Sequence, residues 1–420
     1  MTSFRRRSYR WIELVRALAL ASAAVFTSAP ASAEAPWPPL DSVVRAARVQ
    51  APGLASARGA VGVARAAVTG ARMSSLLNPY VELRAEHGAS PGASTLSGSL
   101  VLPVEVGGQR GRRIDEANAL VGWQEAELGG ATARAIGEAV GTYGEVLAFA
   151  ARLREASAAE EDARQQAAWF TRRLQAGDAT LSDQSLAEAE LGRWTQQRAE
   201  AAIGLTSAAT HLAMLTGQSE PVMPGAVDIV DAPALRVAWN PSTLAAVVEK
   251  NPDVRARALE TRHWDFARER AEADRSPPLN LVVTAGRGDL GEPRVGGGLG
   301  WSFPVLRRNE GEIARALAES RRAANERASV QRIVAARLNG LHAVYSATLD
   351  ALRELDGAGI PAARRSVDAA VLSQRAGKLE LVQVLIAKRD LAVALTRRLD
   401  LVTTAWRAYG ELVALKGDLL

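Results

Sequence analysis

The chain has 420 residues, a formal net charge of +5, 48% hydrophobic residues and no cysteine. That length does not limit the core. The missing thiols exclude disulfides, thiolate metal sites, cysteine nucleophiles and a lipid anchor on an N-terminal cysteine.

Arg5, Arg6, Arg7 and Arg10 precede an apolar run, Ala17–Phe26, that closes on Ala31-Ser32-Ala33. This pattern predicts a secretory signal peptide over residues 1–33. The segment also holds Arg16 and Glu13, so its removal takes away four net positive charges and leaves about +1, which gives no basis for a nucleic-acid partner. Beyond it no run of about 18 apolar residues occurs, so contact with a membrane would have to be made by a β-barrel.

Residues 41–76 carry periodic apolar positions and predict a helix stopped by Asn78-Pro79. Strands are expected at 80–87, where Val81, Leu83 and Ala85 alternate, and at 95–104, with a loop at His87–Gly92 between them. Gln109–Gln175 then contains almost nothing that breaks a helix, and at 1.5 Å per residue it would span about 100 Å. A turn around Gly177 leads to another helix. Gly217–Trp239, with Pro221, Pro224 and Pro233, reads as a surface linker.

The second half repeats the order. Ala51-Pro52-Gly53-Leu54 is answered by Asn251-Pro252-Asp253-Val254, and Gln175-Ala176-Gly177 by Arg375-Ala376-Gly377, at an offset of 200. Two repeats are therefore expected, 34–216 and 241–420, joined by a linker over 217–240. The second strand pair is expected at 279–287 and 294–305, where Val295, Gly297, Leu299, Trp301, Phe303 and Val305 alternate with small or polar residues, as in a barrel strand between lipid and lumen. Arg307–Arg375 reads as a second long helix marked only by Gly359 and Pro361. In the final helix Leu395, Leu399, Val402, Trp406 and Val413 keep coiled-coil spacing. The fold class is thus mainly α with a small membrane β-barrel. Four strands cannot close alone; a dimer would give 8 and a trimer 12, and the larger ring leaves a useful lumen.

These features resemble the TolC-like outer-membrane efflux proteins. The likeness rests on the duplicated order, on Asn78-Pro79 and Asn251-Pro252, and on Leu102-Pro103-Val104 running into Gly107-Gly108-Gln109-Arg110-Gly111-Arg112-Arg113. The turns Ala176–Asp183 and Ala376–Leu381 complete it. It implies a homotrimer with a 12-stranded barrel in the outer membrane and a helical barrel across the periplasm; the lack of cysteine adds the expectation of no lipid anchor. Its partners would be a periplasmic adaptor, an inner-membrane pump and outer-membrane lipid. It also implies a periplasmic tip formed by Gly177, Asp178, Asp183, Gly377, Lys378 and Glu380. Where many relatives carry constriction aspartates, this chain has Gln383 and Ile386. The Gly-Gly-Gln-Arg stretch is most similar to members serving heavy-metal or other cation pumps of the RND class. A soluble periplasmic coiled-coil adaptor, and the duct of a type I protein secretion system, remain open as alternatives.

No cofactor, metal site or enzyme activity is expected. His87, His211, His263 and His342 lack ligand spacing, and no nucleophile, base and orienter fall together. Glu160-Glu161 reads as a solvated face. Arg110, Arg112, Arg113, Arg307 and Arg308 read either as lipid-headgroup contacts at the membrane rim or as ordinary solvated arginines. Arg287-Gly288-Asp289 reads as a polar turn, and Gly296-Gly297-Gly298-Leu299-Gly300 as small residues beside a lumen.

Overall fold

A computed structural model describes residues 37–74, 77–87, 94–225, 230–234, 240–288, 290–306 and 308–417. The expected signal peptide lies outside them. The first half runs through α1 (Leu40–Gln50), α2 (Pro52–Ala71), β1 (Tyr80–His87), β2 (Ser94–Val104), α3 (Gln109–Gln175) and α4 (Leu181–Thr216). The second runs through α5 (Pro241–Lys250), α6 (Pro252–Ala273), β3 (Leu279–Arg287), β4 (Pro293–Trp301), α7 (Glu310–Glu354), a π-helical turn (Leu355–Gly359), α8 (Ile360–Arg375) and α9 (Leu381–Lys416).

The helix expected over 41–76 is two helices. Pro52 has no N–H to donate back into α1, and Ala51 turns out of the helix with φ −55° and ψ 136°. Asn251-Pro252 makes the same break, where the Asn251 side chain accepts from the N–H groups of Asp253 and Val254 and caps α6. The long helix expected over 307–375 is interrupted by the π turn, just before Pro361, whose ring cannot supply a helical hydrogen bond. The strand expected over 294–305 ends at Trp301. Its partner β3 begins at Leu279, directly across from Trp301, and Pro277-Pro278 precede it, so Phe303 and Val305 have no ladder to join. Strand β2 begins one residue before the expected 95.

Helix α3 is the centre of the helical part and packs against α1, α2, α4, α6 and α9. The main core gathers Ile136, Val140 and Val146 of α3, Leu205 and Leu212 of α4, Val334, Leu338 and Tyr345 of α7, and Leu399, Val402 and Leu412 of α9. The α3–α9 crossing is built on glycine. A methyl placed on Gly137 would run into the Gly410 carbonyl, one on Gly410 into the backbone of Gly137 and Gly141, and one on Gly144 into the Trp406 ring.

The segment read as a surface linker is partly packed. Val230 is buried, the Trp406 indole donates to the Asp231 carbonyl, and the Tyr345 hydroxyl donates to that of Pro233. Arg398 of α9 donates to the Val230 carbonyl and to the carboxylates of Asp231 and Asp356, the last of which lies in the π turn. A backbone without regular structure needs such partners once it is covered.

Candidate functional site

The four strands form one antiparallel sheet in the order β1-β2-β3-β4. Alternation and register together give it two unlike faces. Glu82 pairs with Ser99, Ser99 with Thr284 and Thr284 with Gly296, so these residues share a face with Arg84, Ser97, Asn280, Val282, Gly298 and Gly300. The opposite face carries Val81, Leu83, Leu96, Leu100, Leu281, Val283, Val295, Leu299 and Trp301. On β2 and β3 the polar face is the less exposed one, as in a sheet curled toward it. The apolar face stands bare: Leu83 is 78% exposed and Val295 83%. Strands β1 and β4 each have one unpaired edge. A bare apolar face calls for an apolar covering, and two open edges call for further strands.

Beneath the sheet lie several ion pairs, one of them buried. Arg113 is buried and donates to both oxygens of Glu105 at 2.7 Å and to the Met73 carbonyl. It is thus neither a solvated arginine nor a headgroup contact. Arg112 reaches Glu269, and Arg110 reaches the Arg72 carbonyl. Arg307 lies outside the described residues. Glu116 of α3 binds Arg270 of α6 at 2.8 Å, and burial raises the carboxyl of nearby Asp274 above its usual range, against the pull of Arg270 and Arg113. His263 is packed between Trp123 and Trp264, and burial lowers its pKa below the ordinary 6.5.

At the other end of the long helices lie the two hairpin turns. Gly177 and Gly377 have φ of 81° and 70°, the left-handed region that glycine enters without strain. Both turns close alike. The Gly177 N–H donates to Leu174 and that of Asp178 to Arg173; the Gly377 N–H donates to Gln374 and that of Lys378 to Ser373. This is the Schellman pattern.

Asp183 accepts from both the N–H and the hydroxyl of Thr180, which caps α4 in return. The Thr180 hydroxyl holds the Asp183 carboxyl below its usual range. Gln383 receives the Glu380 N–H at 3.4 Å in the matching place of α9. Asp183 and Gln383 therefore hold helix starts, whereas Asp178, Lys378 and Ile386 are exposed. The signal for the first of these caps, Thr180-x-x-Asp183, stood in the sequence unread. Leu381 of the second turn packs with Ala167, Phe170 and Ala187 of the first hairpin, which brings the two turns to one end.

Glu160, read as solvated, is buried on α3 and shared by Arg164, Arg198 and Thr195; Glu161 is exposed. An open groove of about 460 Å³ lies over α3 between α4 and α9, and includes Phe149, Trp194, Leu395 and Glu155. Burial raises the Glu155 carboxyl. Among the described residues no group of three His, Asp or Glu side chains is placed to hold a metal, and no helix is long and apolar enough to cross a membrane. Asp289 of the Arg-Gly-Asp triplet lies outside the described residues.

No family profile matches the sequence. Over 322 residues, 75% of each chain, it is 27% identical to the cobalt-zinc-cadmium resistance protein CzcC of Cupriavidus metallidurans. The fold matches that of CusC with a TM-score of 0.74 at 14% identity, over 90% of this chain and 92% of that one. It matches the Campylobacter jejuni CmeC outer membrane channel with a TM-score of 0.75 at 14% identity, over 90% and 85%. The chain therefore has the fold of solved outer-membrane channels and is similar in sequence to a metal-resistance protein.

Proposed function

We propose that three copies join β1 of one to β4 of the next, close a 12-stranded barrel, and pass solutes delivered by an inner-membrane pump through a periplasmic adaptor. The observation that carries this reading is the open-edged sheet, apolar outside and polar inside, set on a 67-residue helix. Such a helix spans about 100 Å, a length that suits a trans-periplasmic duct. Kinship with a cobalt-zinc-cadmium resistance protein favours divalent metal cations as the cargo.

In the same reading residues 1–33 are cleaved after export and no lipid anchor is added. Gly177, Asp178, Asp183, Gly377, Lys378 and Glu380 form the adaptor-facing tip, with Gln383 and Ile386 at its constriction. Detergent extraction of the outer membrane, light scattering and planar-bilayer recording test the proposal together. The expected result is a particle of three chains with discrete conductance; a monomer that needs no detergent and carries no current overturns it.

A further inference from the structure

The polar face of the sheet is not uniformly charged. On β2, β3 and β4 it carries mainly Thr95, Ser97, Ser99, Asn280, Thr284 and glycines, whereas β1 carries Glu82, Arg84 and Glu86. The one other charge on this face is Arg294, at the outer end of β4, and it is paired with Glu292 of the turn. On β1 a single guanidinium stands between two carboxylates, 3.2 Å from Glu82 and 3.9 Å from Glu86, with all three side chains more than half exposed. With two carboxylates and one guanidinium, this face of β1 carries a net charge of −1.

Strand β1 is also an open edge. On the other edge, β4 shows Gly296, Gly298 and Gly300 on this face, with open space above Gly296 and Gly298. Joining edge to edge lays the charged strand of one copy beside the bare track of the next. Fixed charge in a narrow lumen acts over about 8–10 Å at ordinary salt, two strand spacings at most. Lumen-facing charges are also the ones that tune barrel selectivity.

From this arrangement we infer that the barrel attracts cations along three strips at the subunit seams, set by Glu82 and Glu86 and moderated by Arg84, while the wall between them is neutral. The inference rests on the barrel reading above.

Because the chain has no cysteine, single cysteines can map the potential. Ser99→Cys lies beside Glu82, Thr284→Cys lies one strand further from the charged strand β1, whether of its own copy or of the next, and Leu100→Cys faces outward. Each is placed in reconstituted trimers and treated with a cationic and an anionic methanethiosulfonate of equal size. Modification at 99 and 284 but not at 100 is the pattern the barrel demands; modification at 100 as fast as at 99 overturns the barrel itself.

Given that pattern, the cationic-to-anionic rate ratio is expected to be higher at 99 than at 284. It falls to or below the value at 284 when Glu82→Gln and Glu86→Gln are added, because Arg84 is then uncompensated, and it rises with Arg84→Gln. Equal ratios at the two sites, or a ratio at 99 unmoved by the glutamines, overturns the seam inference and leaves the barrel standing.

Discussion

Glu260 of α6 is 1% exposed, with Arg322 of α7 2.6 Å from one carboxylate oxygen and Arg257 on the other. Arg257 goes on to Glu127 of α3, so one carboxylate ties three helices. A buried charge of this kind persists only when paired on every side. His263 lies on the same helix, and burial keeps it neutral by lowering its pKa below 6.5. The unfolded chain therefore takes up the proton first as pH falls through 6.5, and the folded state loses stability from there down to the lowered pKa. His263→Gln should shrink the drop in thermal midpoint between about pH 8 and about pH 5, and an unchanged drop would contradict this. None of this was legible in the sequence. Glu160 and Arg113 look like surface charges because part of what covers them, Arg198 and Thr195 of α4 for the one and the Met73 carbonyl for the other, lies far along the chain, and charge patterning along one helix says nothing about a neighbour.

Between elements, the α3–α9 crossing depends on backbones that touch. Gly410→Ala should force the two helices apart and cost about 1–3 kcal/mol as an overpacked contact, read as a lowered thermal midpoint. Gly340→Ala, in open space on α7, should be neutral or stabilising by up to about 1 kcal/mol. The sequence shows alanine and glycine along both helices without showing which glycines meet.

Strands were easier to read, because period-2 alternation directly records a two-faced environment. The error at 294–305 has the same origin. Alternation continued through Phe303 and Val305 after the partner strand had run out, and a pattern on one strand does not report where its neighbour stops. The hairpin turns were legible because glycine past a helix end has a mechanism behind it, while the capping roles of Asp183 and Gln383 went unread.

For the whole molecule, the outward face decides where it resides. Leu83, Val295 and Leu299 form an apolar band that water would not tolerate as a free surface. Leu83→Arg should lower barrel stability in the bilayer by about 2–4 kcal/mol if it lies near the midplane, seen as loss of trimer from the outer-membrane fraction. Thr284→Arg, on the inner face, should leave assembly intact. Overall architecture was the most legible level, since length, periodicity and punctuation all scale with it. Assembly was legible only through what one chain cannot close by itself.

The π turn at Leu355–Gly359 has one further consequence. Along α7 the buried positions Val334, Leu338, Tyr345, Thr348 and Leu352 follow steps of three, four or seven, which keeps them on one seam. The next buried residue, Ile360, comes eight positions later. In an unbroken α-helix the eighth position would stand about 80° off that line, at about 100° per residue. Taking up one extra residue in a wider turn cancels the offset. The interruption thus works as a phase correction: it lets one inserted residue pass without rotating the whole of α8 away from its neighbours.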